Sequence, residues 1–272
     1  MHRIICLATV IIFAMFGGSA LAVTFGVPDN DAHPWVGTLL FQAGDKNFYS
    51  CSGTLLAPAV MVTAAHCTTD GGVLNLQTWV KFTPSISFAD RNGQNISAYL
   101  DDPDHGWIKA TQVIPHPQYQ GRYPNTYDVG IVILATPVQL SQYGELPTLH
   151  FLDTVGKGNT RDNLFTAVGY GMQGYVKPFE SDIWARYAGN VRLIELKSAF
   201  DGAEASAKFS NNPGKTSGGS CYGDSGGPIF FGNTNLITAV VSWGITPCIG
   251  VDYQFRLDTP VAQDFVRSHL PN

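Results

Sequence analysis

A serine within a glycine-rich stretch is the feature that most constrains how this chain folds. The stretch Gly219–Pro228 has the sequence Gly-Ser-Cys-Tyr-Gly-Asp-Ser-Gly-Gly-Pro, and Ser225 directly follows Asp224. Glycines around a nucleophile allow positive φ angles and let a substrate carbonyl approach backbone N–H groups closely. A serine hydroxyl is a weak nucleophile alone and needs a base that a third group orients. The fold must therefore bring a base and an acid to Ser225.

Two upstream segments offer these partners. His66 lies in the run Thr-Ala-Ala-His-Cys, after an apolar segment typical of a β-strand. Asp128 stands just before the apolar run 129–135, where a buried carboxylate needs hydrogen-bond donors. An ordinary aspartate at a strand edge is the alternative for Asp128 taken alone. The chain order His, Asp, Ser is that of the chymotrypsin arrangement and differs from the orders in subtilisins and α/β-hydrolases.

These motifs resemble those of the trypsin/chymotrypsin-like family of secreted serine endopeptidases. The resemblance extends from about Val23 to the C terminus, and its most specific part is Gly223–Pro228 together with Ala-Ala-His-Cys. It implies hydrolysis of internal peptide bonds in protein or peptide substrates through an acyl-enzyme, with a His66–Asp128–Ser225 triad. The N–H groups of Gly223 and Ser225 would form the oxyanion hole, and no metal or organic cofactor is needed.

Composition favours an all-β fold. The 272 residues include 29 Gly and 16 Pro and only 14% charged residues, which indicates many turns and short strands. The resemblance implies two antiparallel six-stranded β-barrels, in lobes of roughly 23–140 and 155–257, within one protease domain of residues 23–272. A C-terminal helix is expected over 259–270, and a short helix within the loop around 203–209.

Residues 1–22 have the pattern of a secretory signal peptide. Arg3 precedes an apolar run, Ile4–Phe16, and small residues lead to a cleavage site after Ala22. The run is too short to span a bilayer, although an uncleaved anchor is the alternative. We expect a secreted, extracellular monomer that is not attached to a membrane after cleavage. The net charge of −5 and the lack of a Lys/Arg cluster argue against nucleic acid as a partner.

Cleavage after Ala22 would leave Val23 as the first residue of the mature chain. By the resemblance, the ammonium group of Val23 pairs with Asp224 and orders the oxyanion hole and the substrate pocket. The chain would then be active without removal of a propeptide. A frayed chain end, which is the usual state of a terminus, is the alternative.

Four cysteines remain after cleavage removes Cys6: Cys51, Cys67, Cys221 and Cys248. Four cysteines allow three pairings. The resemblance implies Cys51–Cys67 and Cys221–Cys248. A zinc site is the competing interpretation, but the spacings match no compact Cys/His ligand pattern, so no metal is expected.

The resemblance also indicates which residues contact substrate: Gly219, Ser220, Ser242, Trp243, Gly244 and Gly250. Ser242–Gly244 would pair with the peptide backbone as an added strand. Trypsins carry an aspartate where Gly219 stands here, so the pocket is expected to be uncharged and to favour an apolar side chain before the cut bond. Asp252 is the alternative, because it would favour Lys or Arg if it pointed into the pocket.

A catalytically inactive binding protein with the same fold is the alternative function. Function must be argued from the site, because one fold serves many activities. Such proteins usually lose a member of the triad. This sequence retains all three, His66, Asp128 and Ser225, which favours the enzyme.

Overall fold

The computed structural model describes residues 23–121, 127–155, 164–175, 180–196, 205–212 and 218–271. The predicted signal peptide lies outside these ranges. Nine strands occur in the first half: β1 (Val27–Pro28), β2 (Val36–Gln42), β3 (Phe48–Ala57), β4 (Val60–Thr63), β5 (Thr69–Asp70), β6 (Val73–Leu74), β7 (Gln77–Lys81), β8 (Ile108–Pro115) and β9 (Gly130–Leu134). Six follow in the second half: β10 (Leu164–Gly169), β11 (Tyr187–Glu195), β12 (Ser206–Asn211), β13 (Pro228–Phe231), β14 (Ile237–Gly244) and β15 (Gly250–Arg256).

The first barrel closes in the order β2-β3-β4-β9-β8-β7, with every neighbouring pair antiparallel. Its strands are rich in β-branched and other apolar residues, which suit a pleated and partly buried surface. Val36, Leu39, Leu55, Met61 and Ile131 are fully buried in its core. The short hairpin β5–β6 lies outside the barrel, directly after His66 in the chain.

The second barrel has the strand order β11-β10-β13-β14-β15-β12 and closes through pairing of β11 with β12. Strand β1 adds to it at β11, so the N-terminal segment crosses to the second barrel. Phe165, Phe209 and Ile229 form part of its own buried cluster. The predicted fold class, two six-stranded antiparallel β-barrels, is confirmed.

In the part of the chain that the structure describes, three short α-helices accompany the barrels: α1 (Ile96–Asp101), α2 (Phe151–Val155) and α3 (Pro260–Arg267). The last is the expected C-terminal helix. The hydroxyl of Thr259 accepts a hydrogen bond from the N–H of Ala262, and Pro260 occupies the first turn, so the start of α3 is capped.

The prediction of a short helix around 203–209 is wrong where the structure describes this segment. Residues from Ser206 onward form β12 instead. Phe209 and Ala207 are buried, whereas Lys208 is only half-buried, which is the two-residue period of a strand. Pairing with β15 on one side and β11 on the other overrides the weak local preference.

Buried Arg186 links the two barrels. It precedes β11 of the second barrel, and its side chain is fully buried. Its Nη1 donates to the carbonyl of Val36 in β2 at 2.9 Å, and to that of Phe82, after β7, at 3.0 Å. Its Nε donates to the buried carboxylate of Asp29 at 2.8 Å. A buried cation is stable only when it is paired and hydrogen-bonded, and this one is.

Replacing Arg186 with methionine should lower the free energy of unfolding by about 3–5 kcal/mol, because it removes the arginine that pairs with the buried Asp29 carboxylate and leaves this carboxylate only its contacts with His33 among the described residues. Urea unfolding followed by tryptophan fluorescence measures this. The double variant Asp29→Asn/Arg186→Met should recover part of the loss. A loss below about 1 kcal/mol in the single variant would contradict a linking role for this pair.

Candidate active site

The first barrel holds His66 and Asp128 together. His66 lies in a short 3₁₀ turn, Ala65–Cys67, that follows β4. Nδ1 of His66 lies 2.8 Å from Oδ2 of Asp128, and the backbone N–H of His66 donates to Oδ1 at 3.0 Å. Gly130, at the start of β9, permits this approach, because an ideal Cβ there would lie only 3.0 Å from the carbonyl oxygen of Ala64.

The electrostatics of this pair favour a charged aspartate beside a basic histidine. Asp128 is fully buried, and burial by itself would raise its pKa. The nearby charge of His66, with hydrogen bonds from His66 and from Ser242 Oγ at 2.5 Å, outweighs burial and holds the pKa below its ordinary value. Burial would lower the pKa of His66, but the charge of Asp128 and its hydrogen bond raise it overall.

Ser225 belongs to the second barrel and is fixed by backbone contacts with the first. Its carbonyl oxygen accepts from the N–H of Ser52 in β3 at 2.8 Å. The next residue, Gly226, has a φ of +75°, and an ideal Cβ there would lie 2.0 Å from Oγ1 of Thr63. Only glycine fits, so the sequence Ser-Gly sets how closely the two barrels meet.

His66 and Ser225 line the same cavity. In the described part of the chain, neither side chain donates a hydrogen bond to the other. Catalytic hydrogen bonds are often long in enzymes without substrate and shorten in the complex. The structure therefore brings His66 and Ser225 to one cleft, with Asp128 buried against His66. The His66–Asp128 hydrogen bond is formed, and the described residues show none between the side chains of His66 and Ser225.

Two backbone N–H groups, one of Ser225 itself and one of nearby Gly223, are available to a ligand. Within the described residues, the N–H groups of Gly223 and Ser225 donate to no protein acceptor. Gly223 has a φ of +98°, a conformation that favours glycine, and its carbonyl oxygen accepts from Ser52 Oγ at 2.9 Å. The hydroxyl of Ser52 thus fixes the peptide that follows Gly223. This geometry is suited to holding a negatively charged oxygen.

Asp224 points away from these donors into the protein interior. It is 1% exposed and accepts from the N–H of Gly171 at 2.8 Å and of Cys221 at 2.9 Å. Burial raises its pKa to about 7 despite these bonds, and the charge of Asp252 adds to the increase. No cation pairs with it among the described residues.

Val23, the predicted partner of Asp224, is also fully buried. In the full-length chain its nitrogen is an amide joined to Ala22, and no hydrogen bond to Asp224 occurs in the described residues. The next residue, Thr24, pairs with Gly219: its carbonyl oxygen accepts from the Gly219 N–H at 3.1 Å. The N-terminal segment is thus docked beside the glycine-rich stretch and is not frayed at Val23 and Thr24.

A smaller pocket of about 240 Å³ opens on the other side of Ser225. Of the predicted substrate-contacting residues, Ser220, Ser242, Trp243 and Gly244 line it, whereas Gly219 and Gly250 do not. The buried side chain of Asn211, from β12, occupies the space that a side chain at Gly219 would need, with its Oδ1 1.8 Å from the position of an ideal Cβ at 219. No local motif predicts Asn211, because the pairing of β12 with β15 brings it to this position.

Asp252 also lines this pocket, so the expectation of an uncharged pocket is wrong. Its carboxylate accepts from Asn211 Nδ2 at 2.9 Å, from the Ser220 N–H at 2.9 Å and from Ser220 Oγ at 2.7 Å. An ideal Cβ at Gly244 would lie 2.4 Å from its Oδ1, so only glycine there leaves room for the buried carboxylate. Burial raises its pKa to about 6, although these hydrogen bonds oppose the increase.

Comparison with known proteins agrees with the fold. The family model Trypsin matches residues 25–265. The chain belongs to the trypsin family. It is 29% identical to a trypsin of Squalus acanthias, over 78% of this chain and 80% of that protein. It is 28% identical to the CLIP domain-containing serine protease B15 of Anopheles gambiae, over 81% of this chain but only 61% of that protein's length.

Among solved structures, HL collagenase superposes with a TM-score of 0.63 at 18% identity, covering 88% of this chain and 95% of that one. This likeness shows the fold. In the described residues of this trypsin-family chain, no helix is long and apolar enough to cross a membrane.

Both disulfides that the resemblance implied are present. Cys51–Cys67 joins β3 to the turn that carries His66, and Cys221–Cys248 joins the glycine-rich stretch to the segment before β15. The sulfurs of Cys51 and Cys67 lie close to His66, in an arrangement that could hold a metal ion if they were thiolates. Because they are bonded to each other, they offer no thiolate ligand.

Proposed function

We propose that this protein is a secreted serine endopeptidase that cleaves protein and peptide substrates through an acyl-enzyme. The observation that carries the proposal is the contact between buried Asp128 and His66, close to Ser225, beside the N–H groups of Gly223 and Ser225, which donate to no acceptor in the described part of the protein. The signal-like pattern of residues 1–22 supports secretion. We propose that the mature protein acts as a monomer without a metal or an organic cofactor.

In the proposed mechanism, Ser225 Oγ attacks the carbonyl carbon of the peptide bond while Nε2 of His66 takes its proton. Asp128 keeps Nδ1 protonated and stabilises the imidazolium. The N–H groups of Gly223 and Ser225 stabilise the oxyanion, and one such donor is typically worth about 10²–10³ in rate. His66 then protonates the leaving amine. Water attacks the ester carbonyl with His66 again as the base, and this step releases the acid product and restores Ser225.

Ser225→Ala should lower the rate of peptide hydrolysis by several orders of magnitude, because the members of a triad act as a unit. Casein hydrolysis and labelling by a serine-directed covalent inhibitor measure this, with intact mass giving the labelled residue. The matched control Ser268→Ala, an exposed serine at the end of α3, should leave both unchanged. A wild-type protein that binds casein but neither cleaves it nor takes the label would support the binding-protein alternative.

The burial of Val23 and Asp224 supports activation by an N-terminal ammonium. An ammonium at Val23 would keep the Asp224 carboxylate ionised, whereas without a cation burial raises its pKa to about 7. The docking of Thr24 on Gly219 brings the segment to this part of the second barrel. We propose that signal cleavage after Ala22 itself produces the active form.

Protein that starts at Val23 should be active, and a variant with two extra residues before Val23 should lose most of its activity. The carboxylate partner raises the pKa of the amine above its ordinary value of about 8, so activity should fall as the pH rises through that pKa. Edman sequencing of the secreted protein and clean tag removal from the extended variant test both statements. An extension after Asn272 is the control, and full activity of the N-terminal extension would reject this activation.

The carboxylate of Asp252 supports a basic residue immediately before the cut bond. Its hydrogen-bond donors in the described residues, Asn211 and Ser220, are neutral. The cation of a Lys or Arg side chain would supply the missing positive charge. Burying that cation in the pocket would be costly without the Asp252 carboxylate. We propose that Asp252 determines this preference and that Asn211 positions it.

Substrates with Lys or Arg before the cut bond should be cleaved at least tenfold better, about 1.4 kcal/mol, than matched Leu or Phe substrates at pH 8. The ratio of Lys to Phe kcat/KM should fall as the pH drops through about 6, because protonation of Asp252 removes its charge. Taking the ratio cancels the titration of His66, which both substrates share. Asp252→Asn should abolish the preference at every pH, and a preference for Leu or Phe in the wild type would contradict the proposal.

A further inference from the structure

The larger cavity beside Ser225 has a volume of about 910 Å³ and is distinct from the pocket that contains Asp252. Tyr222 and Ser225 line both, so the two cavities meet at the nucleophile. From the peptide carbonyl that Ser225 attacks, the substrate chain extends in two directions, before and after the cut bond. If the residue before the cut bond occupies the smaller pocket, the segment after the cut bond has to leave past His66 into the larger cavity. This inference rests on the proposed function and concerns that leaving segment.

An aromatic wall, defined here as Phe88, Ile96 and Trp184, lines the larger cavity. All three side chains are half-buried, so each has an apolar face available inside the cavity. The rings of Phe88 and Trp184 have centroids 5.5 Å apart. Such partly exposed apolar surface in a concave site is typical of a position that binds an apolar side chain.

The aromatic wall is rigidly supported. Phe88 packs on Trp107 and Tyr99, which belong to a buried cluster of their own. Nε1 of Trp184 donates to Oγ1 of Thr38 in β2 at 3.1 Å, which fixes the indole ring. A site whose side chains are already fixed loses little entropy when a ligand binds.

Two segments from different barrels build the wall together. Phe88 and Ile96 lie in the connection between β7 and β8, and Trp184 lies before β11. The carbonyl of Trp184 accepts from the Ile86 N–H at 2.8 Å, and Ser85 forms a bridge with Ala185. The wall is therefore a product of the long β7–β8 connection and of the way it joins the second barrel.

Charge in the larger cavity is negative apart from His66. Asp70 and Asp182 are exposed on its lining, and none of the described residues that line it is Lys or Arg. An acidic side chain in the leaving segment would be repelled, whereas an apolar one would bury surface on the wall.

We propose that the aromatic wall is a specificity-determining subsite that selects a bulky apolar side chain, Phe or Leu, in the substrate segment after the cut bond. Burial of such a side chain accounts for a preference of about tenfold over serine. Endopeptidase substrates would then be chosen by residues on both sides of the bond.

Acyl transfer tests this subsite without changing the acyl group. A Lys ester substrate, which has no residues after the reacting carbonyl, forms the acyl-enzyme, and added tetrapeptide amides compete with water for it. The attacking amine forms an amide bond, the ester bond to Ser225 breaks, and the amine proton returns through His66 to Oγ. Each of the four peptide positions carries Phe, Leu, Ser or Asp in turn.

At one position, capture by Phe or Leu peptides should exceed capture by the Ser peptide about tenfold, with Asp below Ser. This ratio should fall below threefold in Trp184→Ala and in Ile96→Ser. Ile183→Ala is the matched control, because this neighbouring residue is 52% exposed and does not line the cavity. Each ratio is taken within one variant, so it does not depend on the amount of active protein.

Ratios below threefold at all four positions in the wild type, or a tenfold ratio that survives in both wall variants, would overturn this inference alone. Failure of the wild type to hydrolyse the Lys ester and the matching Phe and Leu esters, with no acyl group on Ser225 by mass spectrometry, would instead overturn the proposed function. The two failures are thus distinguished by the same experiment.

Discussion

The buried carboxylate of Asp128 is the interaction on which the arrangement of the two barrels depends. It lies two residues before β9 in the first barrel, where burial of a charge is costly unless donors surround it. Two donors come from His66 in the same barrel, and the third is the hydroxyl of Ser242 on β14 of the second. Stabilising this carboxylate therefore requires both barrels in register, which also brings Ser225 to the cleft.

Among the described residues, three buried carboxylates lie near the candidate nucleophile, Asp128, Asp224 and Asp252, and burial by itself acts to raise the pKa of each. Only Asp128 has a cationic partner in the described residues, and only its pKa is held below the ordinary value. Asp224 and Asp252 have neutral donors and pKa values of about 7 and about 6. In physical terms these two sites lack a cation, which makes them suited to receive one from elsewhere: from a new chain terminus at Asp224 and from a substrate at Asp252.

The sequence predicts those parts of the site that local motifs define. Ser225 lies among glycines, His66 follows two alanines, and Asp128 precedes an apolar run, so each residue is marked by its short local sequence. The contacts of Asp252 at the smaller pocket could not be predicted in this way, because they depend on strand pairing. Asp252 faces it because β15 pairs with β12, and Asn211 fills the space that Gly219 leaves. Strand register across a barrel is a tertiary property, so no local pattern predicts these contacts, just as none predicts the strand β12.

A hydrogen-bonded chain connects the N-terminal segment to the smaller pocket. Oγ1 of Thr24 donates to Oδ1 of Asn211 at 2.9 Å, and Nδ2 of the same amide donates to Asp252. The charge of Asp252 also raises the pKa of Asp224. A cation bound at Asp252 would lower that pKa and favour the ionised Asp224 that an ammonium group at Val23 requires. Since coupling between two sites is reciprocal, seating of the N-terminal segment would in turn strengthen binding of a basic side chain in the pocket.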